Sequence, residues 1–386
     1  MRYLKFFESF NSEYDVVIIG GGIAGLYTAY LLSKTNKSFL LIERDSQLGG
    51  RIKMDEINDV DIPTGAAYLR WDKDKSLIKL INDLDIKISP YELKMDKTFQ
   101  ESDIDKIFKK LKSNLKDYSR DKINFKKYAT EVLGKEDYQN LINMMGYSDF
   151  EKADFEDTVM NYGLDDNVSG NEMVNIDCNK LISKLVKSIG NKRIVLNKEV
   201  KDIKSINNSF IIDCGDKITC KKVIVATQIS SVKKLIKKDI YKEIESQEFI
   251  KIFAKVDGLE SVKNYTIVDS PLRKVIPVKN DVYCIAFSDN KDAIYLNNQN
   301  NSQIEKLLKV NFDIKGISNM KKFFWEEGTH YYKPLSNDWK SRKEFIKNAQ
   351  RPDKNIFVVG ECVAQKQGWV NGALETVDSV IDEIIK

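Results

Sequence analysis

Histidine is almost absent from this chain. The 386 residues include one histidine, His330, so neither a serine–histidine triad nor a metal centre built from several histidines can be assembled. No stretch approaches the roughly 18 consecutive apolar residues that a membrane-spanning helix requires, and the N-terminal segment lacks the apolar core of a signal peptide. Any catalysis needs another source of reactivity, and we expect an intracellular, cytoplasmic protein.

Cysteine is scarce as well, and it occurs in an odd number. The five cysteines are scattered and never spaced C-x-x-C; they are Cys178, Cys214, Cys220, Cys284 and Cys362. This pattern argues against structural disulfides and against a zinc site, and it favours a reducing compartment.

Neither sign of charge predominates. The chain has 62 lysines and arginines against 58 acidic residues, and the basic residues are spread along it, so we expect neither a nucleic-acid nor a membrane partner. In the most basic stretch, residues 106–127, apolar side chains recur at helical spacing, namely Ile107, Phe108, Leu111 and Leu115. A helix with a solvated lysine face is the simpler interpretation; an anionic partner or a membrane surface is the alternative.

What the chain does contain is a glycine-rich turn near its start. An apolar run is followed by Gly20, Gly22 and Gly25 at G-x-G-x-x-G spacing, and a helical pattern begins at once. In a strand, turn and helix unit of this kind, the free N–H groups at the helix start bind a pyrophosphate. The turn therefore predicts a dinucleotide cofactor, with Ile23 and Ala24 as further contacts.

A carboxylate stands at the position that recognises a ribose. Glu43 lies 23 residues after Gly20, at the end of the strand-like run SFLLIE, and Arg44 is next to it. A carboxylate there accepts hydrogen bonds from both ribose hydroxyls and argues against a 2′-phosphate. A glycine turn without a ligand is the alternative interpretation, but the strand, the helix and the acidic residue together favour a bound dinucleotide.

The segment after Glu43 distinguishes flavin from nicotinamide. Leu48, Gly49, Gly50 and Arg51 resemble a motif of the flavin-containing amine oxidase family, which includes monoamine and polyamine oxidases. In that family the two glycines let the backbone pass close to the pyrophosphate, and the arginine lies by the cofactor. The resemblance implies FAD and covers most of the chain, apart from roughly residues 92–167.

Three further segments resemble parts of the family fold that contact the cofactor. Residues 60–70 resemble the segment behind the isoalloxazine ring, and residues 175–203 resemble the helix, turn and strand that lead to the adenine. Residues 221–230 resemble the strand that returns to the dinucleotide domain. The implied contacts are Gly65, Ala66, Ala67, Tyr68, Val200, Ala226 and Thr227.

The C-terminal segment resembles the family's closing motif. In the family, the N-terminus of the helix in this motif points at the pyrimidine edge of the flavin. A helix dipole placed there can stabilise an anionic reduced ring. The implied contacts are Gly360, Glu361, Gly368, Trp369, Val370 and Ala373.

The motifs predict an α/β fold with two interleaved domains. With 386 residues, of which 42% are hydrophobic, the chain is long enough for two cores. We expect a discontinuous Rossmann-like FAD-binding domain from residues 12–80, 172–230 and 335–386. Residues 81–171 and 231–334 would form a substrate-binding domain of mixed β-sheet plus helices, which is also the family arrangement.

Two side chains are candidates for the substrate pocket. Lys251 falls where the family has a lysine that holds a water against flavin N5; the alternative is a surface lysine on an edge strand. Trp369 falls where the family often places one aromatic wall beside the substrate amine; the alternative is plain packing against the flavin. Together they would hold an amine carbon against flavin N5.

A second aromatic wall is predicted within residues 323–335. Trp325 and Gly328 match the family's Trp-x-x-Gly-x-x-Tyr stretch, but a one-residue slip changes which ring faces the flavin. The residues that compete for this position are His330, Tyr331 and Tyr332. His330 has the alternative of a satisfied structural histidine. Thr329 stands where monoamine oxidases carry a cysteine joined to the flavin, so we expect noncovalent FAD.

The whole pattern predicts an FAD-dependent amine oxidase for a primary or secondary amine, with a polyamine as one option. Hydride would pass from the amine α-carbon to flavin N5, the imine would be hydrolysed, and dioxygen would be reduced to hydrogen peroxide. The alternatives are an L-amino-acid oxidase, which would need Arg70 or Arg273 for the carboxylate, a desaturase-like FAD oxidoreductase, or a non-catalytic flavin-binding module. The expected partners are the amine and dioxygen, and the chain would be a monomer or a homodimer.

Overall fold

The apolar run before the glycine turn forms a central strand of a large sheet. The computed structural model describes residues 13–66, 68–91, 95–96, 101–118, 122–162 and 173–386. Strands and helices are numbered in chain order. Two large sheets, two smaller ones and several groups of helices make up the described chain.

The first sheet has seven strands. They are Tyr14–Ile19 (β1), Phe39–Ile42 (β2), Ile194–Val195 (β9), Asp202–Ile206 (β10), Ser209–Asp213 (β11), Lys217–Val225 (β12) and Ile356–Val358 (β18). β1 pairs in parallel with β2 and β12, and β18 pairs in parallel with β12. Val16, Val17 and Ile18 are fully buried because helices cover both faces of the sheet, which is why this strand is apolar throughout.

Two layers of helices cover this sheet. One layer consists of Ile23–Ser33 (α1), Lys75–Asp83 (α2), Cys178–Ile189 (α7), Val370–Asp378 (α12) and Ile381–Ile385 (α13). The other consists of Ile229–Ile236 (α8) and Arg342–Gln350 (α11). α1 and α12, from the two ends of the sequence, pack against each other, so the first and last motifs lie side by side.

The second sheet has six strands. They are Met95–Asp96 (β7), Ile244–Asp257 (β13), Tyr265–Ile267 (β14), Lys274–Lys279 (β15), Val282–Asp289 (β16) and Gly316–Tyr332 (β17). Their order is β17-β13-β16-β15-β14-β7, antiparallel except for the β14–β7 pair. Helices Asn290–Asn297 (α9) and Asn301–Asn311 (α10) contribute to its apolar core.

The remaining elements are short strands and a helical group. The strands are Met54–Ile57 (β3) and Val60–Pro63 (β4), a hairpin, and Tyr68–Arg70 (β5), Ile88–Tyr91 (β6) and Met173–Ile176 (β8), a three-stranded sheet. The helices of the group are Glu101–Tyr118 (α3), Phe125–Leu133 (α4), Lys135–Met145 (α5) and Phe155–Asn161 (α6). Short 3-10 helices span Asn191–Arg193, Asp239–Glu243 and Glu361–Val363.

The predicted α/β class, with a Rossmann-like part and a mixed sheet, is confirmed. The strands of the first sheet lie within the segments predicted to bind FAD, and those of the second within the predicted substrate segments; the domain boundaries themselves stay a prediction. α3 buries Phe108 and Leu111 while its lysines are exposed, as predicted for the basic stretch. All five cysteines are free and buried. Among the helices of the described ranges, none is both long enough and apolar enough to cross a bilayer.

Candidate active site

A cavity of about 780 Å³ is lined by residues of both large sheets and of both ends of the chain. This volume lies in the upper part of the roughly 300–1,000 Å³ that ligand pockets span. The predicted cofactor contacts line this cavity with two exceptions. Gly25 lies outside the lining, and Ala67 lies outside the described residues.

The glycine turn holds α1 tightly against the first sheet. Gly20 has φ +107°, and a Cβ there would lie 2.5 Å from the carbonyl oxygen of Ala226. A Cβ on Gly25 would lie 1.9 Å from the Gly20 oxygen, so glycine at position 25 allows α1 to approach the strand closely. Gly25 therefore has a packing role and does not line the cavity. A Cβ on Gly22 would meet no protein atom within 4 Å. Gly22 therefore leaves space at the start of α1 for a ligand, as a bound pyrophosphate requires.

The start of α1 and Glu43 together fit a dinucleotide. Gly22 is the N-cap of α1 and provides no side-chain cap for the first N–H groups, which leaves them free for an anion. Glu43 accepts hydrogen bonds from the N–H groups of Gly21, at 2.5 Å, and Asp45, at 2.9 Å. These bonds orient the carboxylate beside the turn, with Arg44 also in the lining. An ionised carboxylate can accept about four hydrogen bonds, so Glu43 can also accept hydrogen bonds from ribose hydroxyls.

Arg51 connects the first cofactor segment with the last. Gly49 and Gly50 both have positive φ, and the N–H of Gly49 donates to the Gly21 oxygen at 2.9 Å. The Arg51 guanidinium donates to the Gly328 oxygen and to the Glu361 carboxylate, each at 2.8 Å. The arginine thus crosses from the dinucleotide turn to the second sheet and to the C-terminal segment.

The segment expected behind the flavin ring is packed closely on Arg51. A Cβ on Gly65 would lie 1.8 Å from the Arg51 oxygen, and the N–H of Ala66 donates to the same oxygen at 3.1 Å. Only glycine at position 65 permits this contact, and Tyr68 follows in the cavity lining. The remaining predicted contacts, at the ends of strands of the first sheet or in its connections, also line the cavity; they are Val200, Ala226 and Thr227.

The C-terminal motif is organised by the carboxylate of Glu361. It accepts hydrogen bonds from the backbone N–H groups of Gly368, at 2.7 Å, and His330, at 3.1 Å, besides the Arg51 bond. Burial raises the pKa of Glu361, but His330 and Arg51 outweigh burial and hold the pKa well below its ordinary value. The carboxylate positions Gly368 and Trp369, and α12 begins at Val370 without a side-chain cap. Gly360, Val370 and Ala373 also line the cavity.

Lys251 lies in the cavity wall, on β13. Its Nζ donates to the carbonyl oxygens of Gly65, at 2.7 Å, and Pro63, at 3.2 Å, and lies 4.7 Å from the centre of the Phe287 ring. Burial lowers its pKa below the ordinary value for lysine. The structure therefore places Lys251 beside the segment expected behind the flavin ring and not on an exposed edge strand.

Trp369 lines the cavity, and an arginine stacks on its ring. The Arg70 guanidinium lies 3.7 Å from the centre of the indole. Arg70 is itself buried and pairs with Asp74 at 2.6 Å, and Arg273 pairs with Asp292 at 2.7 Å. Neither arginine lines the cavity. Neither is therefore placed to bind a substrate carboxylate, as the amino-acid oxidase alternative would need.

The structure places His330, Tyr331 and Tyr332 outside the cavity lining, which corrects the prediction that one of them faces Trp369. Ile229 N–H donates to His330 Nε2 at 3.2 Å, and His330 Nδ1 lies 2.5 Å from Glu361, so both ring nitrogens are used. His330 is the satisfied structural histidine of the alternative interpretation. The Tyr332 hydroxyl donates to the Ala364 oxygen at 2.8 Å in the core, and Tyr331 is half-buried beyond the cavity.

β17 has a bulge just before these residues. Thr329 pairs with Gln247 and Trp325 with Phe249, so three residues of β17 lie opposite one residue of β13. A Cβ on Gly328 would lie 2.5 Å from the Phe249 Cβ, so glycine permits the bulge. Thr329 is consequently the last residue of the strand that lines the cavity.

Most of the remaining cavity wall comes from residues that the sequence did not point to; Phe324 and Trp325 belong to the segment in which a second aromatic wall was expected. Aromatic side chains line the part of the cavity beyond Lys251: Tyr147, Tyr162, Phe249, Tyr265, Phe287, Phe324 and Trp325. The ring centres of Tyr147, Phe249 and Phe287 lie 5.6–6.2 Å apart. The carboxylates of Asp149, Glu326 and Glu327 line the cavity as well. The local sequence around Tyr147 and Asp149 is the short run GYSDF after α5, in a region without a recognisable motif, so nothing in the sequence indicated that these residues belong to a site.

Comparisons by sequence match short parts of the chain. A family model described as an NAD(P)-binding Rossmann-like domain matches residues 18–84. Pseudooxynicotine dehydrogenase from Pseudomonas sp is 36% identical over 61 residues, which are 16% of this chain and 12% of that protein. An uncharacterised protein of Acanthamoeba polyphaga mimivirus is 51% identical over 43 residues, 11% of this chain and 8% of that protein. The chain thus matches far less than two thirds of these relatives' lengths.

Comparisons by structure cover nearly the whole chain. A double mutant of putrescine oxidase gives a TM-score of 0.78 at 14% identity, and cyclohexylamine oxidase from Brevibacterium oxydans IH-35A gives 0.76 at 13% identity. Each match covers 97% of this chain and 99% of the other chain. The chain therefore has the fold of putrescine oxidase and cyclohexylamine oxidase, an amine oxidase fold, as the resemblance of its glycine, arginine and C-terminal motifs implied.

Proposed function

We propose that this chain is an FAD-dependent amine oxidase that binds FAD noncovalently and acts on a primary or secondary amine. The observation that carries the proposal is a single cavity that joins the dinucleotide turn, the C-terminal motif, Lys251 and a group of aromatic rings. Thr329 supports noncovalent binding because a threonine hydroxyl stands where a cysteine would be needed for the family's covalent link.

The dinucleotide turn, Glu43 and the C-terminal motif would hold FAD, which would supply the acceptor for a hydride from the carbon next to the amine nitrogen; the amine would leave as its imine, and dioxygen would take the two electrons with two protons to give hydrogen peroxide. The aromatic rings around the pocket exclude water and so favour the uncharged amine, which alone can release the hydride. Lys251 Nζ, already bonded to the Gly65 oxygen, would hold a water near the reacting ring. Trp369, held by Arg70, would form one wall beside the amine.

The test uses the purified protein. It should be yellow, anaerobic addition of an alkylamine should bleach the flavin absorbance, and air should restore it with release of peroxide. If no amine and no amino acid bleaches bound flavin, the substrate class is wrong while the fold stands. Bleaching by amino acids alone would favour the amino-acid oxidase, and tight flavin binding without any peroxide would favour a non-catalytic module.

A further inference from the structure

Arg70, the last residue of β5, lies behind the indole of Trp369. Its guanidinium carbon is 3.7 Å from the centre of the ring. Arg70 is 2% exposed and does not line the cavity, whereas Trp369 does. The guanidinium therefore covers the side of the indole that is turned away from the cavity, and the cavity meets the other side. A planar cation at this distance attracts the ring and fixes its direction.

Asp74, the N-cap residue of α2, holds Arg70 in this position. Its carboxylate accepts hydrogen bonds from Arg70 Nη2, at 2.6 Å, from Arg70 Nε, at 3.1 Å, and from the Arg70 backbone N–H, at 2.7 Å. Asp74 is 1% exposed, so water screens neither charge of the pair. The two charges compensate each other, but it is the positive member that contacts the indole.

A second contact fixes the start of α12 to the same turn between β5 and α2. Trp369 is the N-cap residue of α12, and two residues later the side-chain oxygen of Asn371 accepts a hydrogen bond from the backbone N–H of Leu77, at 3.1 Å. The residues on both sides of Val370 are thus attached to the turn that carries Arg70 and Asp74. Trp369 therefore has little freedom to move its ring away from the guanidinium.

An amine on the cavity side of Trp369 would lie within reach of this charge. A nitrogen in van der Waals contact with that side of the ring would be roughly 7–8 Å from the guanidinium carbon, with only the indole between them. Two charges separated by protein interact more strongly than they do in water. A cation at this position disfavours the ammonium form of the amine and leaves the uncharged form unaffected.

We propose that Arg70, ordered by Asp74, selects the uncharged form of the bound amine by acting through the ring of Trp369. This inference rests on the proposed amine oxidase function, which requires an uncharged amine to release the hydride. Arg70 and Asp74 do not line the cavity, so both are positioning residues. The pKa of the amine should be lower in the complex than in solution, and the pair should account for part of that decrease.

Charged groups of other elements also act on an amine in this cavity. Those that line it come from β13, β17, the connection between α5 and α6, and the cofactor segments; they are Lys251, Glu326, Glu327, Asp149, Lys53 and the Arg51–Glu361 pair. Tyr68 lines it from β5 itself. In α12, Asp378 accepts hydrogen bonds from Tyr27 and Ser76, and Glu375 accepts one from Asn371. These groups are common to all the variants below, so a difference between variants reports on Arg70 and Asp74.

The test follows the pH dependence of anaerobic flavin reduction by the holoenzyme with saturating 1-aminobutane. The limiting rate should rise with pH through the pKa of the bound amine. Arg70→Met leaves a carboxylate behind the ring and should move the midpoint to higher pH by at least about 0.5 unit. Asp74→Asn leaves an uncompensated guanidinium and should move it to lower pH by at least about 0.5 unit. A purely structural role would not give shifts of opposite sign.

Three further variants separate charge from packing. Arg70→Lys keeps the charge and should keep the midpoint, but the limiting rate should fall because an ammonium does not hold the ring as a planar guanidinium does. The double variant Arg70→Met with Asp74→Asn buries no unpaired charge and should move the midpoint to higher pH, by less than Arg70→Met alone. It decides the question if a single variant does not fold.

Arg342→Met is the matched control. Arg342 is likewise buried, contacts Asp157 and lies 4.7 Å from the centre of the Tyr332 ring, but none of these three residues lines the cavity. Its removal should leave the midpoint unchanged. One midpoint for all the variants, shifts of Arg70→Met and Asp74→Asn in the same direction, or an equal shift in Arg342→Met would overturn the inference.

Calorimetry provides a readout that needs no turnover. Binding of 1-aminobutane to the chemically reduced holoenzyme at pH 8, in two buffers of different ionisation enthalpy, counts the protons released when an ammonium from solution binds as the free amine. Arg70→Met should release fewer protons than the wild type, and Asp74→Asn should not release fewer. Equal release by the wild type and Arg70→Met overturns the inference. If no amine reduces the flavin, the proposed function fails, and this count still decides the effect of Arg70. Absence of amine binding overturns both.

Discussion

At the scale of single residues, Glu361 connects the two ends of the chain with the second sheet. Its carboxylate is 5% exposed and bonds the Arg51 side chain, the His330 ring and the backbone of Gly368. These partners come from the dinucleotide turn, from β17 and from the C-terminal motif. A negative charge in this position is stabilised by its partners, and its loss leaves buried donors without an acceptor.

We expect Glu361→Gln to lower the free energy of unfolding by about 3 kcal/mol, since it breaks a buried charge network while keeping the shape of the side chain. The shift in the urea midpoint, at unchanged m-value, measures this. Glu305→Gln removes a partly exposed partner of Lys309 at the surface of α10 and should change the free energy by less than about 1 kcal/mol. Equal effects of the two substitutions would contradict the assigned role of Glu361.

Glu361 also predicts part of the acid sensitivity. Its folded-state pKa lies below the unfolded value of about 4.3, so its contribution is present above that pH and is lost as the pH falls through the folded value. The free energy of unfolding of the wild type should therefore fall more steeply below about pH 4.3 than that of Glu361→Gln. Parallel acid limbs in the two proteins would argue against a depressed pKa.

Lys251 is the second residue whose role a substitution can isolate. Lys251→Met should slow reoxidation of the reduced flavin by dioxygen by about 10²-fold, because it removes the group that would hold a water near the ring. Rapid mixing of the anaerobically reduced protein with oxygenated buffer measures the rate. Lys255→Met, on the same strand but outside the cavity lining, is the control. An unchanged rate in Lys251→Met would remove Lys251 from the mechanism.

At the scale of elements, the glycines of the first turn divide into two roles. Gly25 faces the backbone of Gly20, while Gly22 faces open space. We expect Gly25→Ala to lower the free energy of unfolding by about 1–3 kcal/mol, because the alanine Cβ displaces α1 from the sheet. Gly22 has φ −71°, which alanine also adopts, so Gly22→Ala should change the free energy of unfolding of the apoprotein by less than about 0.5 kcal/mol. Its methyl group would occupy the space left for the ligand, so FAD binding should weaken.

Thermal unfolding of both apoproteins and FAD titration by fluorescence separate these outcomes. A Gly22→Ala protein that binds FAD as tightly as the wild type would show that the phosphates do not lie at the start of α1. Similar stability losses in both variants would contradict the packing role assigned to Gly25.

The strand β17 shows why element type is easier to predict than side-chain direction. The sequence identifies a strand around Trp325, and alternation would place every second residue on one face. The bulge opposite residue 248 changes which residues of β13 pair with the later residues of β17, and His330 lies against Glu361 and Ile229. Nothing in the local sequence states how many residues of β13 lie opposite those of β17, because the register is set by contacts between strands far apart in the chain.

At the scale of the whole molecule, the cavity is built from segments that begin near residue 19 and end near residue 373. A ligand that fills it contacts both large sheets at once. We expect FAD to stabilise the entire chain against unfolding, by about 2.7 kcal/mol when free FAD is 100 times its Kd. Calorimetric scans at increasing FAD concentration should show one transition moving to higher temperature. Two transitions, of which FAD moves only one, would show that the sheets unfold independently.

The sequence by itself determined the dinucleotide turn, the acidic residue after the second strand, the Gly-Gly-Arg motif and the C-terminal motif. These features could be predicted because each is contiguous and its chemistry is local: a glycine at a tight approach, free N–H groups at a helix start, a carboxylate at a strand end. The α/β class followed from the same apolar and helical patterns.

Only the tertiary structure decided which side chains share the cavity. Tyr147 and Asp149 come from a helical region without a motif, Lys251 and Phe287 from neighbouring strands, and Trp369 from the position just before α12. The orientation of His330 away from the cavity was likewise decided by Glu361, 31 residues later. The direction of these side chains depends on packing and on hydrogen bonds between segments that are far apart in the chain. Such contacts can override local preference, and no single stretch of sequence contains them.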